Sequence, residues 1–129
     1  MDHLVDTCAL LLFLEGDPRL PAAAAARIED PSTKSFVSLV SLWEIAIKVS
    51  LGKLRFEHAT RPDLPELLTG NGFQLLSPSW EVLRRAAFLP TFHRDPFDRV
   101  VLAECQVRGL PVVSSDRKFD AYQVTRLWG

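Results

Sequence analysis

Four carboxylates in this chain of 129 residues, Asp6, Glu44, Asp98 and Asp116, stand where apolar segments end or helices open. Asp6 follows His3-Leu4-Val5 directly, and Asp116 follows Pro111-Val112-Val113 by way of Ser114-Ser115. Glu44 and Asp98 fall in the expected first turns of two helices. In an open α/β sheet such positions lie at the carboxyl ends of the strands, the edge where ligands collect, so the four acids can meet. Carboxylates held together raise one another's pKa, and a fold that gathers them needs a compensating cation. Oxygen donors suit Mg²⁺ or Mn²⁺, and two such ions can clamp the attacking and leaving oxygens of a phosphodiester. Each acid also has a purely structural reading. Asp6 and Asp116 can cap the segments after them, Glu44 can complete a capping box with Ser41, and Asp98 can join Asp95 in capping the helix at Pro96.

The neighbours of these acids divide in the same way. Thr7 can donate to a phosphate or serve its own helix start. Lys48, four residues after Glu44, can pair with it or contact a phosphate, and the pair is favoured. Arg99, Arg117 and Lys118 adjoin acids and can grip phosphates. Asp95 precedes Pro96, which favours a capping role. His93 has no second histidine or cysteine at metal-ligand spacing, which argues against zinc. Trp43 and Trp80 lie in helical patterns and are expected in the core, and Trp128 is a candidate for a dimer surface.

The elements that must position these residues alternate. A strand at 3–5 leads to a helix over 9–14 that Gly16-Asp17-Pro18 ends, and the alanine-rich stretch 22–29 forms a helix closed by Asp30-Pro31. Phe36-Val37-Ser38 reads as a strand, and Ser41 to Glu44 as the opening of a helix over 45–51. A short helix over 62–68 and a strand over 73–76 follow. Helices over 79–89, opened by Ser77-Pro78, and 97–107, opened by Asp95-Pro96, come next. Pro111-Val112-Val113 is a strand, and 121–127 adds an edge strand. Strands alternating with helices predict an α/β fold in one domain over 1–129, with a parallel sheet covered on both faces.

Composition is permissive. Hydrophobic residues make up 47% of the chain, enough for one filled core. Cys8 and Cys105 sit in apolar helical patterns and read as buried thiols rather than a disulfide. No apolar run reaches the roughly 20 residues needed to cross a bilayer, and no leader is visible, so a cytoplasmic protein is expected. The formal net charge of -1 becomes +3 once the four acids are set apart, a weakly basic body around an acidic centre.

Four blocks then carry a resemblance: Val5-Asp6-Thr7-Cys8-Ala9-Leu10-Leu11, Ser41-Leu42-Trp43-Glu44-Ile45-Ala46-Ile47-Lys48, His93-Arg94-Asp95-Pro96-Phe97-Asp98-Arg99 and Val113-Ser114-Ser115-Asp116-Arg117-Lys118-Phe119. In order and spacing they resemble the PIN-domain family, and more narrowly the VapC-type toxins of bacterial toxin–antitoxin pairs. Cys8 departs from the histidine of many relatives, with no acid lost. The resemblance implies a Mg²⁺- or Mn²⁺-dependent ribonuclease with Asp6, Glu44, Asp98 and Asp116 as catalytic and metal-binding residues. It further implies strand order 3-2-1-4-5, a homodimer, an antitoxin partner and RNA as substrate, with Thr7, Lys48, Arg99 and Arg117 as candidate RNA contacts. Two competitors make different demands. A phosphorylated receiver domain requires paired acids after the first strand and an aspartate after the third, where this chain has Leu76-Ser77-Pro78. A PIN fold that only binds RNA or protein would lack one or more of the acids.

Overall fold

A computed structural model describes residues 1–129. The chain runs β1 (His3–Val5), α1 (Thr7–Glu15), α2 (Ala22–Glu29), β2 (Ser35–Ser38), α3 (Leu39–Ser50), α4 (Leu64–Gly70), β3 (Phe73–Leu76), α5 (Trp80–Phe88), α6 (Pro96–Arg108), β4 (Val112–Val113) and β5 (Arg126–Leu127). Short 3₁₀ helices occupy Glu57–Thr60 and Arg117–Tyr122. All four strand pairings are parallel, in the order β3-β2-β1-β4-β5. The α/β class and the strand order are those expected.

Side-chain alternation distributes β1 and β4 between two apolar layers. Val5 and Val113 join Ala9, Leu10, Ala24, Ile28 and Ile45 on one face, whereas Leu4 and Val112 join Val101, Leu102, Cys105 and Phe119 on the other. With both faces covered, Leu4-Val5 and Val112-Val113 are apolar on both sides, which is why they are legible as short hydrophobic runs. α5 lies on α6 through Val82, Ala86, Val100 and Ala103. The chain leaves β1 toward β2 and β3 on one side and returns to β4 and β5 on the other. The order therefore reverses between β1 and β4, and a crevice opens beyond their carboxyl ends.

Several helix starts differ from expectation. α3 opens at Leu39, straight out of β2, with Ser38 Oγ accepting from the Val40 N–H at 3.2 Å. The Ser41–Glu44 capping box is therefore absent, Ser41 is buried inside the helix with an unpaired hydroxyl, and Glu44 sits in the second turn. Leu39 and Val40 continue the apolar run of β2, which hides the boundary. α5 is capped by Ser79, whose Oγ accepts from the Val82 N–H, so Pro78 precedes the cap rather than opening the helix. α4 starts after Pro62 and runs on to Gly70, and the expected edge strand shrinks to Arg126–Leu127 because 117–122 coil as 3₁₀ helix. α6 opens at Pro96 as expected and ends at Gly109, whose φ of 66° is a left-handed conformation that glycine adopts without a Cβ penalty.

Three burial expectations also fail. Cys8 is exposed, since it points away from the strip of α1 formed by Ala9 and Leu10. Trp43 is 62% and Trp80 74% exposed, because the apolar stripes of α3 and α5 are satisfied by Ile45 and by Val82 with Ala86. Trp128 is partly buried against the larger core cluster.

Candidate active site

Beyond the ends of β1 and β4, Asp98 and Asp116 bring ligand atoms together with His93, while Asp6 and Glu44 lie outside that group but near enough to act on it through their charge. Each acid is delivered by a different local device. Asp6 stops β1 and caps α1, its Oδ1 accepting from the Ala9 N–H at 2.8 Å. Its own N–H donates to Val113 O at 3.2 Å, which ties the carboxyl ends of β1 and β4 together. Asp116 likewise caps the 3₁₀ helix after β4, with Oδ1 accepting from the Lys118 N–H at 3.0 Å. In both residues one carboxylate oxygen serves the cap; Asp116 Oδ2 meets His93 Nε2 at 2.7 Å, and the Asp6 carboxyl is also hydrogen-bonded by Ser114.

Glu44 and Asp98 cap nothing. Glu44 is buried and reaches back from α3 to α1, where Oε1 accepts from Thr7 Oγ1 at 2.7 Å and Oε2 from Lys48 Nζ at 2.5 Å. That contact raises the Lys48 ammonium pKa and keeps it charged. Asp98 sits in the first turn of α6, freed from capping because Asp95 does it: Asp95 Oδ1 accepts from the N–H of Phe97 at 2.9 Å and of Asp98 at 3.4 Å.

The electrostatics register the gathering. Asp6 is buried, and its carboxyl is pushed up to about 6. Burial is the main cause, opposed by hydrogen bonds from Ser114 and the Ala9 N–H and reinforced by the charges of Asp116 and Glu44. Asp98 is pushed up to about 8, first by burial and then by Asp95, Asp6, Glu44 and Asp116. Both acids are thus held toward their neutral forms, chiefly by burial and secondarily by the neighbouring carboxylates.

The residues offered as phosphate contacts separate on inspection. Thr7 and Lys48 are both spent on Glu44. Arg99 turns away from the crevice: its buried guanidinium donates to the carbonyl oxygens of Ala86, Ala87, Leu89, Pro90 and His93. It clamps the end of α5 and the loop after it onto α6, so its donors are not available to a phosphate. Arg117 is exposed beside Asp116 and shares a hollow of about 500 Å³ with Arg27 and Arg126. Arg126 is engaged by Asp120, whereas Arg27 and Arg117 make no ion pair. Lys118 is exposed.

His93, set aside in the sequence for want of a second histidine or cysteine, lies against two of the acids. It is 5% exposed, and its Nε2 lies 2.7 Å from Asp116 Oδ2 and 3.1 Å from Asp98 Oδ2. His93, Asp98 and Asp116 each bring one ligand atom into a cluster spanning no more than 4.8 Å. The groups around this imidazole are carboxylates rather than a second histidine or cysteine. Its place two residues before the Asp95 cap was the available signal.

The donor set is dominated by carboxylate oxygens and fits a hard divalent cation such as Mg²⁺ or Mn²⁺. A closed zinc site would call for more nitrogen or sulfur.

A family model described as PIN domain matches residues 3–124. No curated protein sequence matches the chain. Among solved structures, VapBC2 from Rickettsia felis bound to a DNA fragment from its promoter is similar over 100% of both chains, with a TM-score of 0.70 and 14% identity. VapBC-1 from nontypeable Haemophilus influenzae gives 0.68 and 17% identity over 98% of this chain and 97% of that one. A toxin–antitoxin complex from Klebsiella pneumoniae gives 0.63 and 16% identity over 98% and 96%.

Proposed function

The chain belongs to the PIN-domain family, and from that premise we propose that it is a Mg²⁺- or Mn²⁺-dependent endoribonuclease, the toxin of a toxin–antitoxin pair acting in the cytoplasm. The observation that carries the reading is the convergence of Asp6, Glu44, Asp98 and Asp116, two of them with carboxyl pKa values raised by burial and by one another. Such a centre is poorly stable alone and complete with a divalent cation.

Asp6, Asp98 and Asp116 would hold the cation, each offering an oxygen at the crevice. When bound, the cation supplies Lewis-acid stabilisation of the phosphodiester and lowers the pKa of water. Glu44 is held at both oxygens by Thr7 and Lys48, so its orientation is fixed in advance. From there it can orient an attacking water and accept its proton. RNA phosphates beyond the scissile bond find Arg117 and Arg27 along the hollow beside Asp116.

Two further features support partners. Trp43, Trp80 and Phe88 are largely exposed, with Leu39 and Leu83 also open, an amount of apolar surface that a second copy would cover. An apolar hollow of about 480 Å³, lined in part by Cys8, Leu11, Leu12, Leu54 and Trp128, would take side chains of an antitoxin helix. A basic residue of that antitoxin placed among the carboxylates would substitute for the cation and silence the site.

The test is incubation of purified protein with a mixed RNA pool, with and without Mg²⁺ or Mn²⁺, followed by mapping of the cut ends. Cleavage should require the metal and disappear in Asp98→Asn. No cleavage with either metal would turn the balance to a binding module.

A further inference from the structure

We propose that His93 is a positioning residue for the acidic centre, holding Asp116 and Asp98 in place through Nε2–H while its other ring nitrogen is locked by the backbone. The inference rests on the reading of the four acids as a metal site and adds a residue that this reading does not require.

The ring's protonation is fixed by what surrounds it. Nδ1 faces the Asp95 N–H at 3.3 Å, and a backbone N–H only donates, so Nδ1 accepts and carries no proton. The ring proton therefore sits on Nε2, where two carboxylate oxygens receive it, Asp116 Oδ2 at 2.7 Å and Asp98 Oδ2 at 3.1 Å. Direct coordination of a metal by Nε2 would drive that proton to Nδ1, against the Asp95 N–H. A role as general base fails for the same reason, since the only free lone pair points at the backbone.

The residue is also built to stay. Its N–H donates to Tyr122 Oη at 2.6 Å, and Tyr122 in turn donates to Pro90 O. Its carbonyl accepts from Arg99 Nη1 at 2.9 Å, and the ring packs on Phe119 at 5.6 Å between centroids. Arg99 and Tyr122 thus act on the site at one remove, by holding the segment that carries the imidazole. Asp116 needs such a partner. Its Oδ1 is held by the Lys118 N–H alone, and the imidazole supplies the second hold, on Oδ2. Hydrogen bonds that orient ligating carboxylates commonly contribute 10- to 100-fold in metal affinity.

His93→Leu and His93→Gln separate the possibilities, because glutamine can place an N–H donor near the position of Nε2 and leucine cannot. Mn²⁺ affinity measured by titration calorimetry should weaken about 10-fold or more in His93→Leu and stay within about 3-fold of wild type in His93→Gln. In wild type, nitrogen-15 NMR of the imidazole should show the Nε2–H form without metal and retain it when Mg²⁺ is added. Equal affinity in wild type and His93→Leu would overturn the inference while leaving the metal site standing. Loss of the Nε2 proton on Mg²⁺ addition, or equal weakening in both variants, would overturn it in favour of a direct ligand. If His93→Leu does not fold, His93→Gln and the NMR experiment still decide. Failure of wild type to bind either cation would sink the metal-site reading itself.

Discussion

Without divalent cations this protein should become less stable as pH rises from 5 to 8, against the usual behaviour of a domain whose acids are paired. Asp98 and Asp6 have folded-state pKa values of about 8 and about 6, raised from 3.8. An acid raised in the folded state contributes its full stability below the unfolded value and loses it as pH climbs through the folded value. Between pH 5 and 8 the unfolded chain is ionised at Asp98 while the folded chain holds the proton over most of that interval. At about 1.4 kcal/mol per pH unit and per proton, Asp98 alone accounts for about 4 kcal/mol. Its side chain is 20% exposed, and water reaching it should reduce this to about 2 kcal/mol. For a domain of this size the melting temperature should then fall by roughly 5–10 °C. His3 works the other way, because burial lowers its pKa, so its neutral form becomes free of penalty as pH rises toward 6.5. Thermal melting followed by circular dichroism in EDTA, for wild type and Asp98→Asn, removes that contribution by difference. Millimolar Mg²⁺ or Mn²⁺ at pH 8 should restore the loss, since cations replace the protons. The reasoning fails if Asp98→Asn loses as much melting temperature over this range as wild type, or if wild type gains.

Arg99→Leu should lower stability in urea by about 3 kcal/mol, because buried carbonyls lose their donors, yet leave the salt dependence of RNA binding unchanged. Arg27→Gln with Arg117→Gln, in a cleavage-dead Asp98→Asn background, should reduce the slope of log affinity against log salt by about 1.4, two contacts on a single strand; an unchanged slope removes both from the RNA path. Asp95→Asn should keep divalent-dependent cleavage while Asp95→Ala loses about 1 kcal/mol of stability, and an inactive but folded Asp95→Asn would place that residue in the catalytic set. On the proposed pairing of two copies, Trp43→Glu or Trp80→Glu should shift sedimentation toward the monomer, and unchanged sedimentation would remove these residues from the contact.

What was legible in the sequence is what short-range chemistry dictates. β1 and β4 show through the apolar pairs Leu4-Val5 and Val112-Val113, covered on both sheet faces, and α6 is marked at both ends by Asp95-Pro96 and Gly109. Asp6, Asp98 and Asp116 were visible because each follows such a boundary, whereas Glu44 lies in the second turn of α3. The start of α3 was not, since Ser38 ends a strand and caps a helix at once with no loop between. Exposure of Trp43 and Trp80 was hidden for a related reason: periodicity shows that a helix has an apolar side, not which of its apolar residues the rest of the fold covers. The roles of Thr7, Arg99 and His93 depend on partners such as Glu44, the end of α5 and Asp116, brought near only by folding.

The caps also explain how a strongly anionic centre can be tolerated. Asp6 and Asp116 would be expensive to bury as free carboxylates, but each gives one oxygen to the N–H groups of a helix start, where negative charge is favoured. Glu44 is offset by Lys48, and Asp98 lies against the Nε2–H of His93. Capping and cation binding are therefore not rival explanations of these acids. The caps hold the carboxylates at the sheet edge and recover part of the desolvation cost, and the oxygens left over are what a divalent cation would meet. Asp98 has no cap and no formal cation beside it, and its carboxyl is raised further than that of Asp6. It is accordingly the residue whose neutralisation should relieve the metal-free fold most, and the one whose loss should leave the cation least well held.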